Sequence, residues 1–147
     1  MKQVLSLLGV FISSALIAQS DVRINEIDSD QQGTDTGEFI ELFGPANTSL
    51  DGLAVVWYNG STNLVYEAFD LDGFSLDENG FFVMGNAAVP NVDLIFDDNS
   101  LQNGPEAIAI YSGNGDDFPN STPITTEGLI DAIVYHTNDS DDLELID

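Results

Sequence analysis

Along most of this chain apolar residues fall at alternate positions, and no stretch of useful length repeats them at the three- and four-residue spacing of an amphipathic helix. Val22-Arg23-Ile24-Asn25-Glu26-Ile27 and Glu38-Phe39-Ile40-Glu41-Leu42 alternate or nearly alternate, as a strand does when one face is buried and the other is wet. Leu53 to Tyr58, Leu64 to Phe69, Phe81 to Met84, Ala107 to Tyr111 and Leu129 to Tyr135 continue the series. Turn formers separate them: Gln32-Gly33-Thr34-Asp35, Asn59-Gly60-Ser61, Glu78-Asn79-Gly80, Asn103-Gly104-Pro105 and Ser112-Gly113-Asn114-Gly115. About seven short strands without helical crossovers predict an all-β domain, built as an antiparallel two-sheet sandwich.

The 147 residues accommodate one such domain and no second, catalytic one. Hydrophobic residues make up 43% of the chain, enough to offset the entropy of ordering despite a net charge of −24. That charge comes from 26 acidic residues against two basic ones, Lys2 and Arg23. Nucleic-acid affinity depends on Lys and Arg releasing counterions from phosphates, so direct nucleic-acid binding is excluded as a function class, and an anionic membrane surface repels the domain for the same reason. With no cysteine, disulfides, thiolate metal sites, a lipid anchor on Cys and a Cys nucleophile are all excluded.

Residues 1–20 read as a signal peptide. Lys2 provides a positive start, Val4 to Ala18 is largely apolar, and the small residues Ala18 and Ser20 suit cleavage just before Asp21. The apolar run is shorter than the roughly 20 residues a membrane span needs, and it contains Ser6, Ser13 and Ser14, so no membrane insertion is expected after cleavage. The expected location is secreted or at the cell surface. Residues 21–137 then form the domain, and 138–147 are an acidic tail or linker.

Three early segments in order, Ile24-Asn25-Glu26-Ile27, Glu38-Phe39-Ile40-Glu41-Leu42 and Leu50-Asp51-Gly52-Leu53, resemble the first strands of the lamin-tail domain. The segments Leu101-Gln102-Asn103-Gly104-Pro105-Glu106-Ala107-Ile108-Ala109-Ile110-Tyr111 and Leu129-Ile130-Asp131-Ala132-Ile133-Val134-Tyr135 are similar to its closing strands. Where that family often places an aromatic after the Gly of the third motif, this chain has Leu53, with Trp57 farther along the same strand. The resemblance implies an immunoglobulin-like Greek-key sandwich of the bacterial secreted type, which commonly sits beside hydrolases and acts in attachment without catalytic residues. It therefore implies a non-catalytic interaction or attachment module, an accessory domain of a larger exported or surface protein, whose partner is a protein or a surface polymer.

The side-chain chemistry fits a non-enzyme. His136 is the only histidine and follows a strand end, so a Ser-His-Asp arrangement has one place to form and no evident nucleophile there. Glu38 and Glu41 have opposite strand parity, which separates them to opposite faces. The densest oxygen-rich loop runs from Asp28 to Glu38, where Asp28, Asp30, Asp35 and Glu38 are candidate calcium ligands around Gly33 and Gly37. Calcium is accordingly the one candidate cofactor. A calcium-dependent carbohydrate or surface-polymer binder is the alternative function, with Tyr58, Tyr66 or Phe118 expected as exposed stacking rings.

Overall fold

The computed structural model describes residues 21–136. The expected leader, 1–20, and the acidic tail, 138–147, lie outside the described residues. Eight strands are present among those described: β1 Arg23–Asp28, β2 Phe39–Phe43, β3 Leu53–Asn59, β4 Leu64–Asp70, β5 Phe81–Gly85, β6 Leu94–Ile95, β7 Glu106–Ser112 and β8 Leu129–Tyr135. A single turn of 3-10 helix, Gly115–Asp117, follows β7. Seven of these strands coincide with the alternating segments of the sequence. The eighth, β6, is two residues long and carries too little pattern to be read in advance.

The strands form a β-sandwich of two four-stranded sheets, ordered β1-β2-β5-β6 and β4-β3-β7-β8. Every pairing is antiparallel except β5 with β6, which is parallel and departs from the all-antiparallel expectation. That pair forms because residues 86–93 carry the chain back along β5 before Leu94 pairs with Met84. Between the sheets lie Ile40 and Leu42 of β2, Phe82 and Met84 of β5, Val55 and Trp57 of β3, and Ile108 and Ile110 of β7, all buried. The period-two parity therefore selects the core face correctly on both sheets.

β3 departs from alternation because both of its faces are covered. Ala54, Val56 and Tyr58 point away from the main core, yet they are buried under a second apolar cluster with Val65, Ala109, Tyr111 and Phe118. The chain that leaves β7 through the 3-10 turn returns over this outer face, and the Tyr58 hydroxyl donates to the Tyr111 hydroxyl at 3.0 Å, which donates in turn to the Thr125 carbonyl at 2.7 Å. Buried hydroxyls thus keep partners. Burial and the Tyr111 contact both push the Tyr58 phenol well above its usual range.

Two glycines mark close approaches between loops. Gly60 turns the chain from β3 toward β4 so near Pro105 that a Cβ would run into the Pro105 carbonyl, and Gly80 has φ +91° and lies where a Cβ would run into the Gly44 carbonyl. At one side of the sandwich β1 and β8 lie together, with the Ile24 N–H donating to Asp131 Oδ2 at 2.8 Å. At the other side β4 and β6 are the last strands of their sheets, β4 being bridged at Leu64 and Val65 by residues 121–123.

Candidate functional site

The β1–β2 loop, which holds the candidate calcium ligands, meets the loops after β5 and before β7 at one end of the sandwich. Glu38 immediately precedes β2 and shares the parity of Ile40 and Leu42, so it continues the core face and is fully buried at 0% exposure. Its carboxylate accepts the Ser100 N–H at 2.9 Å, the Leu101 N–H at 3.0 Å and an Asn86 Nδ2 hydrogen at 3.3 Å. Asn86 completes the clamp: its Oδ1 accepts the Glu38 N–H at 2.6 Å, and its Nδ2 also donates to the Asp97 carbonyl at 2.9 Å. Burial dominates the electrostatics and raises the Glu38 carboxyl above its ordinary value, with the Asp35 charge adding to the rise and the three donors opposing it.

Asp35 is buried too, and it organises the loop itself. Its Oδ1 accepts the Gln31 N–H at 2.9 Å, and its Oδ2 accepts from Asn103 Nδ2 at 3.3 Å. Gln31 then donates through Nε2 to Asp28 Oδ1 at 2.8 Å and accepts the Gly37 N–H at 3.0 Å. Asp30 is exposed and receives only a long contact from Asn103 Nδ2 at 3.5 Å. Among the described residues no three or more histidines, aspartates and glutamates are gathered so as to hold a metal ion. The structure thus places Asp28, Asp30, Asp35 and Glu38 in one loop without turning them on one point, because Glu38 follows the core face and the others are engaged by amides.

Behind this loop sits a polar group made by the buried Glu106 and the half-buried Tyr66 and Tyr135, of which the sequence reading singled out Tyr66 alone, as an exposed ring. Tyr66 of β4 and Tyr135 of β8 hydrogen-bond through their hydroxyls, and Gln102 joins both: its N–H donates to the Tyr66 hydroxyl at 3.4 Å and its carbonyl accepts from Tyr135 at 3.3 Å. Burial pushes the Tyr66 phenol up to about 12 and that of Tyr135 higher still, with Glu106 and Glu38 adding like charge. Glu106 lies on the core face with Ile108 and Ile110, paired across from Asn59 and Tyr135. It is buried at 3% exposure, accepts the Gly60 N–H, and leaves Oε2 without any hydrogen-bond partner. Desolvation raises its carboxyl. Parity was the available signal, since Glu106 stands in step with Ile108.

Elsewhere the acidic residues serve turns. Asp51 and Asp72 cap each other's loops, Gly73 N–H donating to Asp51 Oδ1 at 2.7 Å and Gly52 N–H to Asp72 Oδ1 at 2.6 Å. Asp77 accepts the Asn79 and Phe81 N–H groups at 2.8 Å each. These bonds hold the Asp51 and Asp77 carboxyls below their usual range. Of the three rings expected to be exposed for stacking, Tyr58 and Phe118 are instead buried in the outer cluster, because the returning chain covers that face, while Tyr66 is half-buried. No helix among the described residues is long and apolar enough to cross a membrane. No protein-family model, no curated protein and no solved structure matches this chain.

Proposed function

We propose that this chain is a non-catalytic attachment module, an exported immunoglobulin-like sandwich of the lamin-tail type that joins a larger surface or secreted protein, such as a hydrolase, to a protein or polymer partner. The observation that carries the reading is where the carboxylates go. Glu38, Asp35, Asp51, Asp72 and Asp77 each accept main-chain N–H groups and so serve the architecture. What faces outward is recognition surface rather than converging acid and base groups, including Ile95 at 62% exposure and Val134 at 77%. The Greek-key relationship is supported by the chain crossing between sheets after β2, β4 and β6.

The calcium-dependent alternative asks more of the molecule. An ion in the β1–β2 loop would have to displace Gln31 and Asn103 from Asp28 and Asp35, and Glu38 would have to abandon two buried main-chain donors. Expression of the full chain in a secreting host tests the main reading. The expected result is processed protein beginning near Asp21 that is retained on the producing cell's surface in the presence of chelator. Protein kept inside with residues 1–20 intact, or released without retention, overturns it.

A further inference from the structure

The two sides of the sandwich are closed differently. At one, β1 meets β8. At the other, edge strands β4 and β6 leave an open groove of about 310 Å³ with Trp57, Phe69 and Phe96 along its floor and Glu67, Asp97 and Ile95 around it. The rings form a contiguous aromatic floor, Trp57 lying 4.8 Å from Phe69 and 5.0 Å from Phe96 between centroids.

A β-bulge explains why a carboxylate accompanies the rings. Glu67 pairs with Trp57 and Val65 with Tyr58, so Tyr66 is the extra residue and the strand's facing shifts there. Glu67 consequently shares the side of Trp57, at an edge where it remains exposed. Asp97, just beyond β6, lines the same groove. Unlike the acids that cap turns, Glu67 and Asp97 are both exposed at the groove.

We propose that this groove receives a basic side chain, Arg or Lys, presented by a protein partner, an inference that rests on the attachment reading and names the partner's chemistry. Ring faces attract a cation lying within roughly 6 Å of the centroid, and two exposed carboxylates at the same mouth add charge and acceptors. Ile95, exposed at 62%, offers apolar contact for the aliphatic stem. None of the described residues puts a cation in the groove: Arg23, the only Lys or Arg among them, stacks on Phe43 at 4.8 Å. A net charge of −24 steers cationic partners toward the domain. Trp57 and Phe96, at 1% and 6% exposure, close the bottom of the groove, so the ring faces that a cation meets are those of the half-buried Tyr66 and Phe69. A neutral sugar would leave the charge of Glu67 and Asp97 unmatched.

Trp57 is the sole tryptophan and lines the groove against Phe69 and Phe96, so its fluorescence responds to what enters there. The full chain is titrated with the peptide Gly-Arg-Gly-Arg-Gly, with its neutral citrulline counterpart, and with cellohexaose. The expected result is a saturable, salt-sensitive change in Trp57 emission with the Arg peptide and none with citrulline. Glu67→Gln with Asp97→Asn should weaken binding at least ~10-fold, whereas Glu78→Gln with Glu127→Gln, exposed acids that do not line the groove, should change it less than ~2-fold. Equal weakening in both double variants shows that bulk charge alone attracts the peptide and overturns the proposal. So does peptide binding seen by calorimetry with Trp57 silent, a response to cellohexaose in place of the peptide, or no binding. Surface retention that persists in the Glu67/Asp97 variant overturns the groove while leaving the attachment reading standing.

Discussion

Glu106→Gln should stabilise this protein at neutral pH and reduce its dependence on pH. The wild-type carboxylate is buried, accepts one N–H from Gly60, and leaves Oε2 unpartnered in a region that also holds the Tyr66–Tyr135 pair. A buried polar atom without a partner costs about 1–3 kcal/mol, and more when it is charged. Gln keeps the oxygen that meets Gly60 and exchanges a charged orphan for a neutral one, so the gain at pH 7 should be about 1 kcal/mol, or roughly 3–6 °C in melting temperature for a domain of this size. The sign follows from linkage. The folded Glu106 carboxyl is raised above the ordinary 4.5, so the native state holds the proton more tightly than the unfolded chain does. Stability is therefore complete below 4.5 and falls as pH rises through the window between that value and the folded one. Glu38 is raised as well and contributes in the same direction, so the single variant should flatten the decline in part and Glu106→Gln with Glu38→Gln should flatten it further. Denaturant melts of the full chain from pH 4.5 to 8, at high salt to screen surface repulsion, give the comparison, with Glu78→Gln as the exposed control. A Glu106→Gln protein that is no more stable at pH 7, or whose stability falls with pH as steeply as the wild type, would refute the reasoning.

Three further outcomes follow from the same carboxylates and charge. Glu38→Ala strips the acceptor from the buried Ser100 and Leu101 amides and should cost about 3–5 kcal/mol, with faster hydrogen exchange at those two amides as the local signature. Calcium should give a shallow, salt-sensitive rise in melting temperature that Asp28→Asn with Asp30→Asn leaves unchanged, since Gln31 and Asn103 already bridge that loop; a one-to-one isotherm abolished by the pair would establish a site there. Gel shifts at low salt should show no complex with duplex or single-stranded DNA, because Arg23 is the sole Lys or Arg among the described residues and it is occupied over Phe43.

Strand positions were legible because a half-buried strand carries its own two-residue rhythm, and β2 and β7 show it plainly in Ile40 and Leu42, Ile108 and Ile110. β6 was not, since two residues hold no rhythm and its parallel pairing depends on how residues 86–93 travel. β3 was read as a strand, but Tyr58 was misplaced as an exposed ring. Leu53-Ala54-Val55-Val56-Trp57-Tyr58 is apolar on both faces, and only the chain arriving from Phe118, some way downstream, decides that Tyr58 is covered. Nothing local to β3 contains that information.

The candidate site divides along the same line. Acids in the Asp28–Glu38 loop stand out by type and spacing, yet type says nothing about which way a carboxylate turns. Parity does: carried back two residues from Ile40 it assigns Glu38 to the core, and carried back from Ile108 it assigns Glu106 there as well. Each assignment conflicts with the habit of placing acids in water, and the resolution differs between them. Glu38 meets two main-chain amides and Asn86, whereas Glu106 meets Gly60 alone, so equal burial produces a satisfied clamp in one case and an orphaned oxygen in the other. The Glu67 and Asp97 groove lies beyond parity altogether. It requires the bulge at Tyr66, the short β6 and the side where β4 and β6 end their sheets all at once, and each of these is a property of the assembled sandwich rather than of any one segment.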